Sequence, residues 1–185
     1  MDTFNEQIVK KKMTASEYLI IAATVLVLLV LLMVMLFIPI LMLLFAAAAF
    51  GAYYIITGQS KEFEYSVTNG DIDIDTIIGR RKRKRIVSVT GRKVERLLPF
   101  EAERFRAADY QRVVMAAPSL KEPELWYFTY HSKKNGHTAV VFQPDNRVLS
   151  ALYSGLQTTV RLETDRALRE KGITVEKSRN PHGNE

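Results

Sequence analysis

Hydrophobic and polar positions fall into three regimes along the chain. Polar residues dominate up to Glu17. From position 18 to position 60 there is no Asp, Glu, Lys, Arg or His, and most of these 43 positions are Leu, Ile, Val, Met, Phe or Ala. Beyond Lys61, apolar residues alternate with polar ones or recur at helical spacing, in short segments.

An apolar run of roughly 18 residues is enough for a spanning helix. As one helix at about 1.5 Å per residue, this run would reach roughly 64 Å, about twice the ~30 Å hydrocarbon core of a bilayer. It is also too long for a cleaved signal peptide, whose apolar core is about 7–15 residues. The small residues Ala46, Ala47, Ala48 and Ala49 come only after a full span has passed. Pro39 lacks an N–H and disfavours helix at Ile38. The pattern therefore predicts a transmembrane hairpin over residues 18–57, with helices near Tyr18–Phe37 and Ile40–Thr57 and a turn near Pro39. Thr14-Ala15-Ser16-Glu17 has the spacing of a capping box directly before the run. Gly51 and the Ala46–Ala49 stretch make the second helix a candidate packing face.

The third regime reads as strands and then helix. Phe63, Tyr65 and Val67 alternate with Glu64, Ser66 and Thr68, and Asn69-Gly70 follows as a hairpin signal. Asp71-Ile72-Asp73-Ile74-Asp75 alternates again, and a third strand is expected over about Arg83–Val89. Further strands are expected at Lys93–Leu98, Arg112–Ala116, Leu125–His131 and His137–Phe142, the last two joined through Asn135-Gly136. Pro99–Ala108 fits either a short helix or a loop, and Pro118–Pro123 reads as a loop. Asp145 is a candidate N-cap for a helix that carries Val148, Leu149, Leu152 and Leu156 on one face. A further helical segment is expected over Thr164–Glu170, stopped by Gly172. The fold class expected is a membrane protein of α+β type, with a small antiparallel sheet or partial barrel capped by a C-terminal helix.

Two apolar spans followed by EFEYSVTNGDIDID, then IIGRRKRKR, resemble a family of uncharacterised bacterial membrane proteins, and Val141-Phe142-Gln143-Pro144-Asp145 before a helix is similar to it as well. Tyr65, Val67, Thr68, Ile72 and Ile74 also hold the places of a pattern found in bacterial pleckstrin-homology-like (PH-like) domains. The resemblance covers most of residues 1–157 and, with the pattern above, implies an N-terminal cytoplasmic segment 1–17, the hairpin 18–57 and a PH-like cytoplasmic domain 61–157; residues 158–175 read as an additional helical segment and 176–185 as a disordered tail. It implies no catalytic residue and no settled activity.

Charge sharpens this picture. The chain carries a net +6, while residues 80–106 alone carry +8, so the excess is local. Lys10, Lys11 and Lys12 precede the apolar run. Lys61 and the run Arg80, Arg81, Lys82, Arg83, Lys84 and Arg85 follow it, and the turn near Pro39 has no charge. Lys and Arg near span ends favour the cytoplasmic side, so a multi-pass cell-membrane protein with both termini cytoplasmic is expected. Tyr18, Tyr53 and Tyr54 suit the interface. The six basic residues have several readings: fixing topology, contacting anionic phospholipid headgroups, or docking an acidic protein partner. Nucleic acid is not expected, because no aromatic is interleaved in the run for stacking.

Site chemistry is sparse. With no cysteine, disulfides, thiolate metal sites and Cys nucleophiles are excluded. Asp71, Asp73 and Asp75 fail the calcium-loop pattern, since position six is Thr76 and position twelve is Lys82. They are expected on one solvent face, opposite the basic strand. His131, His137 and His182 lack the partners of a zinc site, although His131 and His137 are expected as cross-strand neighbours. No nucleotide, protease or hydrolase motif occurs. The spans hold no charge that would mark an ion pathway. The expectation is a non-enzymatic membrane-anchored binding or scaffold module without a cofactor. The competing expectation is an enzyme or accessory subunit acting on a membrane-associated substrate, which would need convergent polar groups in a cavity.

Overall fold

The computed structural model describes residues 4–170 and Gly172. The chain divides into two compact units. One comprises residues 10–62 and 77–83, and the other holds the rest of the described chain.

The first unit is built on two helices, α1 (Ala15–Phe37) and α2 (Met42–Gln59), joined by a short 3-10 turn at Pro39–Leu41. Both are long and apolar enough to cross a membrane. Pro39 stands at the first position of the 3-10 turn, where its missing N–H costs nothing. The first helix begins three residues before the expected Tyr18. The Glu17 carboxylate accepts from the Thr14 N–H at 2.8 Å and from Lys11 Nζ at 2.8 Å, so a charged residue is satisfied inside the first turn. Leu26, Phe37, Ile40 and Leu43 are among many large apolar side chains left exposed along the pair. The ends of the pair are tied together, because the Lys11 N–H donates to the Lys61 carbonyl at 2.9 Å.

Among the described residues, eight strands form two four-stranded sheets rather than the single sheet expected. The first sheet has the order β1 (Phe4–Lys10), β2 (Lys61–Thr68), β3 (Asp71–Ile78), β4 (Lys82–Val89). The second has the order β5 (Val94–Pro99), β7 (Trp126–Ser132), β8 (Gly136–Phe142), β6 (Arg112–Met115). Two corrections follow. The polar segment before the helices is itself an edge strand, with alternating exposure along Phe4–Lys10. The sheets are also not purely antiparallel, since β6 pairs parallel to β8 from Arg112↔Thr138 to Met115↔Val141.

In the second unit, Tyr65, Val67, Ile72 and Ile74 of the first sheet pack with Leu97, Phe128, Val140 and Phe142 of the second. α3 (Asn146–Gly155) closes this core with Val148, Leu149 and Leu152. Its N-cap is Asp145, whose Oδ1 accepts from the Val148 N–H at 2.8 Å. α4 (Thr158–Glu170) starts where the additional segment 158–175 was expected to begin, six residues ahead of Thr164, and adds Val160 and Leu168. Thr164, fully buried, donates its hydroxyl to the Leu97 carbonyl at 2.9 Å.

The 100–111 stretch is a loop with one short 3-10 turn, Ala107–Asp109. Phe100 and Phe105 fold over Ala117, Leu125 and Val141, and Phe105 meets Tyr127 edge-on at 5.3 Å. Tyr127 is therefore half-buried. His131 does face His137 across β7 and β8. His182 and the expected tail 176–185 lie outside the described residues.

Candidate functional site

The basic run begins in the β3–β4 turn with Arg80 and Arg81 and continues into β4 from Lys82, and local sequence explains how the turn is held. Gly79 and Arg80 both take left-handed backbone, with φ of 57° at each. Glycine is needed at 79 for a second reason: a Cβ there would lie 2.9 Å from the Thr57 carbonyl oxygen. That close approach lets the Gly79 N–H donate to the Ser60 carbonyl at 2.8 Å, at the residue that caps α2. The turn is thus fastened by its backbone to the end of the second apolar helix.

Arg81 completes the attachment. Its guanidinium lies 4.5 Å from the ring centre of Tyr54 and 5.2 Å from that of Tyr53, and it donates to the Thr57 hydroxyl. Tyr53 and Thr57 are one helical turn apart, so one face of α2 supplies both a ring and an oxygen. An exposed cation–π contact contributes about 0.5–1 kcal/mol. The sequence suggests the two tyrosines only as candidate interfacial residues, and their role as a platform for Arg81 was not legible in it.

The other basic residues divide by partner. Arg80 Nε lies 3.9 Å from Glu62 Oε1. Arg85, in the other unit, is neutralised by two carboxylates: Nη1 lies 3.0 Å from Asp73 Oδ2, and Nε and Nη2 reach the two oxygens of Asp75 at 3.0 and 3.5 Å. The hydrogen bonds to Asp75, and then the charge of Asp73, raise the Arg85 pKa above its ordinary value. Lys82, Arg83 and Lys84 are exposed, and among the described residues no carboxylate pairs with Lys82 or Lys84.

Asp73 and Asp75 do face the basic strand, through their shared pairing with Arg85, but the three aspartates are not all solvent-exposed as expected. Asp75 is buried beneath its pair with Arg85. Asp71 accepts from the Gly91 N–H at 3.0 Å and so fixes a backbone turn. Among the described residues no group of three His, Cys, Asp or Glu side chains is placed to hold a metal ion. His137 is engaged through Nε2 with Glu95 at 3.2 Å and against the Tyr110 ring at 5.0 Å.

The arrangement is one of anion-facing chemistry. The turn, with exposed Lys82 directly after it, is fastened to the end of an apolar helix by a stacked arginine. No curated protein and no solved structure matches this chain. A family model described as bacterial PH-like domain (DUF6106) does match, over residues 1–162 of the 185, and by that match the chain belongs to the family.

Proposed function

We propose that this protein is a non-enzymatic, membrane-anchored binding module whose PH-like domain works at the cytoplasmic surface of the cell membrane. α1 and α2 cross the bilayer as a hairpin, and the β3–β4 turn contacts anionic lipid headgroups. The observation that carries this reading is the fastening of the basic turn to the end of α2, through Gly79, Arg81, Tyr53, Tyr54 and Thr57. A basic segment that must stay beside the end of a spanning helix also stays at headgroup level. Tyrosine favours that same interface.

Orientation has its own support. The Lys11–Lys61 backbone bond joins the start of α1 to the end of α2, so both ends of the pair belong on one side. Lys10, Lys11, Lys12, Lys61 and the basic turn make that side the cytoplasmic one. Among the described residues Lys82 and Lys84 have no carboxylate partner to give up. At about 1 kcal/mol per surface-apposed lysine, the two contribute about 2 kcal/mol, roughly a 30-fold preference for an anionic over a neutral surface.

The test uses the full chain in nanodiscs of mixed neutral and anionic phospholipid. Lipids that remain bound after detergent extraction are counted by native mass spectrometry. Anionic lipid is expected to be enriched over its share of the disc, and the double variant Lys82→Gln, Lys84→Gln is expected to lose most of that enrichment. Equal enrichment in the two proteins would refute the lipid-contact reading.

A further inference from the structure

A second basic feature lies wholly within the PH-like unit. An open cleft of about 460 Å³ runs between the 3-10 turn Gly91–Lys93, strand β5, the end of β7 and the α3–α4 junction. Its polar lining comprises Arg92, Lys93, Glu95, His131, Gln157 and Thr159. Among the described residues neither Arg92 nor Lys93 has a carboxylate partner, and the carboxylate of Glu95 is engaged by His137. The cleft therefore gathers two cations without a direct carboxylate partner among the described residues, one carboxylate held by His137, an imidazole, an amide and a hydroxyl. Such a donor-rich surface suits a multivalent oxyanion.

The walls are held rigidly. Gly70, Gly91 and Gly155 meet backbone against backbone: a Cβ on Gly91 would fall 2.3 Å from the Gly70 oxygen and 2.9 Å from the Gly155 carbonyl. Asp71 accepts from the Gly91 N–H, and Gln157 Nε2 donates to the Arg92 carbonyl at 2.5 Å. The turn that carries Arg92 and Lys93 is thus locked to the segment that carries Gln157 and Thr159. Surface arginines and lysines that only aid solubility need no such fixed framework. Donors held in place before a ligand arrives lose less freedom on binding it.

We infer that this cleft is a binding site for a phosphomonoester, gripped by Arg92 and Lys93 with Thr159 and His131 as further hydrogen-bonding groups. The inference concerns residues separate from the β3–β4 turn and does not depend on the lipid-contact reading. A phosphomonoester can come from a soluble metabolite or from a lipid headgroup, and the experiment separates the two.

The full chain is placed in nanodiscs of neutral lipid and titrated calorimetrically with glycerol 3-phosphate. In parallel, retention of phosphatidate against phosphatidylglycerol is measured by native mass spectrometry from discs that contain both at equal amounts. Saturable binding of glycerol 3-phosphate supports a soluble ligand, and selective retention of phosphatidate supports a headgroup. In either arm Arg92→Gln, Lys93→Gln is expected to weaken binding at least about tenfold, because two charge-assisted contacts are lost. Lys82→Gln, Lys84→Gln is expected to leave it unchanged, so failure of this inference is distinguishable from failure of the lipid-contact reading. Unfolding midpoints of the variants are compared to establish that each is folded. Absence of binding in both arms, or binding unaltered in folded Arg92→Gln, Lys93→Gln protein, overturns the inference.

Discussion

Tyr65→Phe isolates one buried hydroxyl that joins three separate parts of the PH-like unit. Tyr65 has no exposed surface. Its hydroxyl donates to the carbonyl of Ala116, just after β6, and accepts from the N–H of Gln143, just after β8, at 3.3 Å. Phenylalanine keeps the ring and its edge-on contact with Phe142 at 5.7 Å. The loss is therefore confined to hydrogen bonding. A net hydrogen bond contributes about 0.5–1.5 kcal/mol, and a buried group left without its partner costs about 1–3 kcal/mol. Ala116 is fully buried, so its carbonyl has no ready access to water. The expected destabilisation is about 1.5–3 kcal/mol.

The chain has a single tryptophan, Trp126, buried in the same unit, so its fluorescence reports unfolding there. In urea, with a slope of about 1–3 kcal/mol per molar, the midpoint is expected to fall by roughly 1 M without a change of slope. Alkaline pH gives a second readout. Burial raises the Tyr65 pKa well above its ordinary value near 10. The neutral phenol is the form that the folded state favours. Its contribution is therefore complete below the ordinary pKa and is lost as pH rises beyond it. The stability gap between wild type and Tyr65→Phe should narrow above about pH 10. A midpoint shift below roughly 0.2 M, or a gap that widens with alkali, would refute the assigned role of the hydroxyl.

Other outcomes follow from the same contacts. Gly91→Ala should destabilise the PH-like unit by roughly 1–3 kcal/mol, read by the same urea titration, since its Cβ would meet backbone rather than a yielding side chain. Arg81→Ala should raise hydrogen exchange at residues 79–83 in nanodiscs, and the double variant with Tyr54→Leu should add little more, because both remove one contact. Arg85→Gln should not lower anionic-lipid enrichment in the way that Lys82→Gln, Lys84→Gln does, since Asp73 and Asp75 already occupy its guanidinium. Reporters fused at residue 1 and at residue 185 should both register in the cytoplasm. A signal from the other side at either end contradicts the hairpin.

What the sequence made legible was mostly local. The charge-free run and Pro39 locate the ends of the two helices to within three residues, because length and helix-breaking chemistry act at short range. The same holds for the Asp145 cap and for β7 and β8 around Asn135-Gly136. β1 was not legible, because its identity as a strand depends on partners beyond the helices. The parallel pairing of β6 with β8 is likewise a long-range choice that no alternation encodes. At the basic turn, residue type gave six equivalent cations. Only the fold separates them into a stacked arginine, a neutralised arginine and open lysines.

The edge strand β1 also constrains the order in which the protein assembles. Gln7 accepts from the Asp145 N–H at 2.7 Å and donates to the Gln143 carbonyl at 3.1 Å, so the chain as far as Asp145 must be made before these contacts of its first strand can close. Such long-range closure slows folding more than it costs stability. In the reading proposed above, α1 and α2 enter the bilayer first and bring Lys11 beside Lys61. Membrane insertion then shortens the search by which β1 finds β2, and the bilayer acts as a folding template for a domain that lies outside it. A chain held out of the membrane should fold its PH-like unit slowly, with β1 the last strand to gain protection.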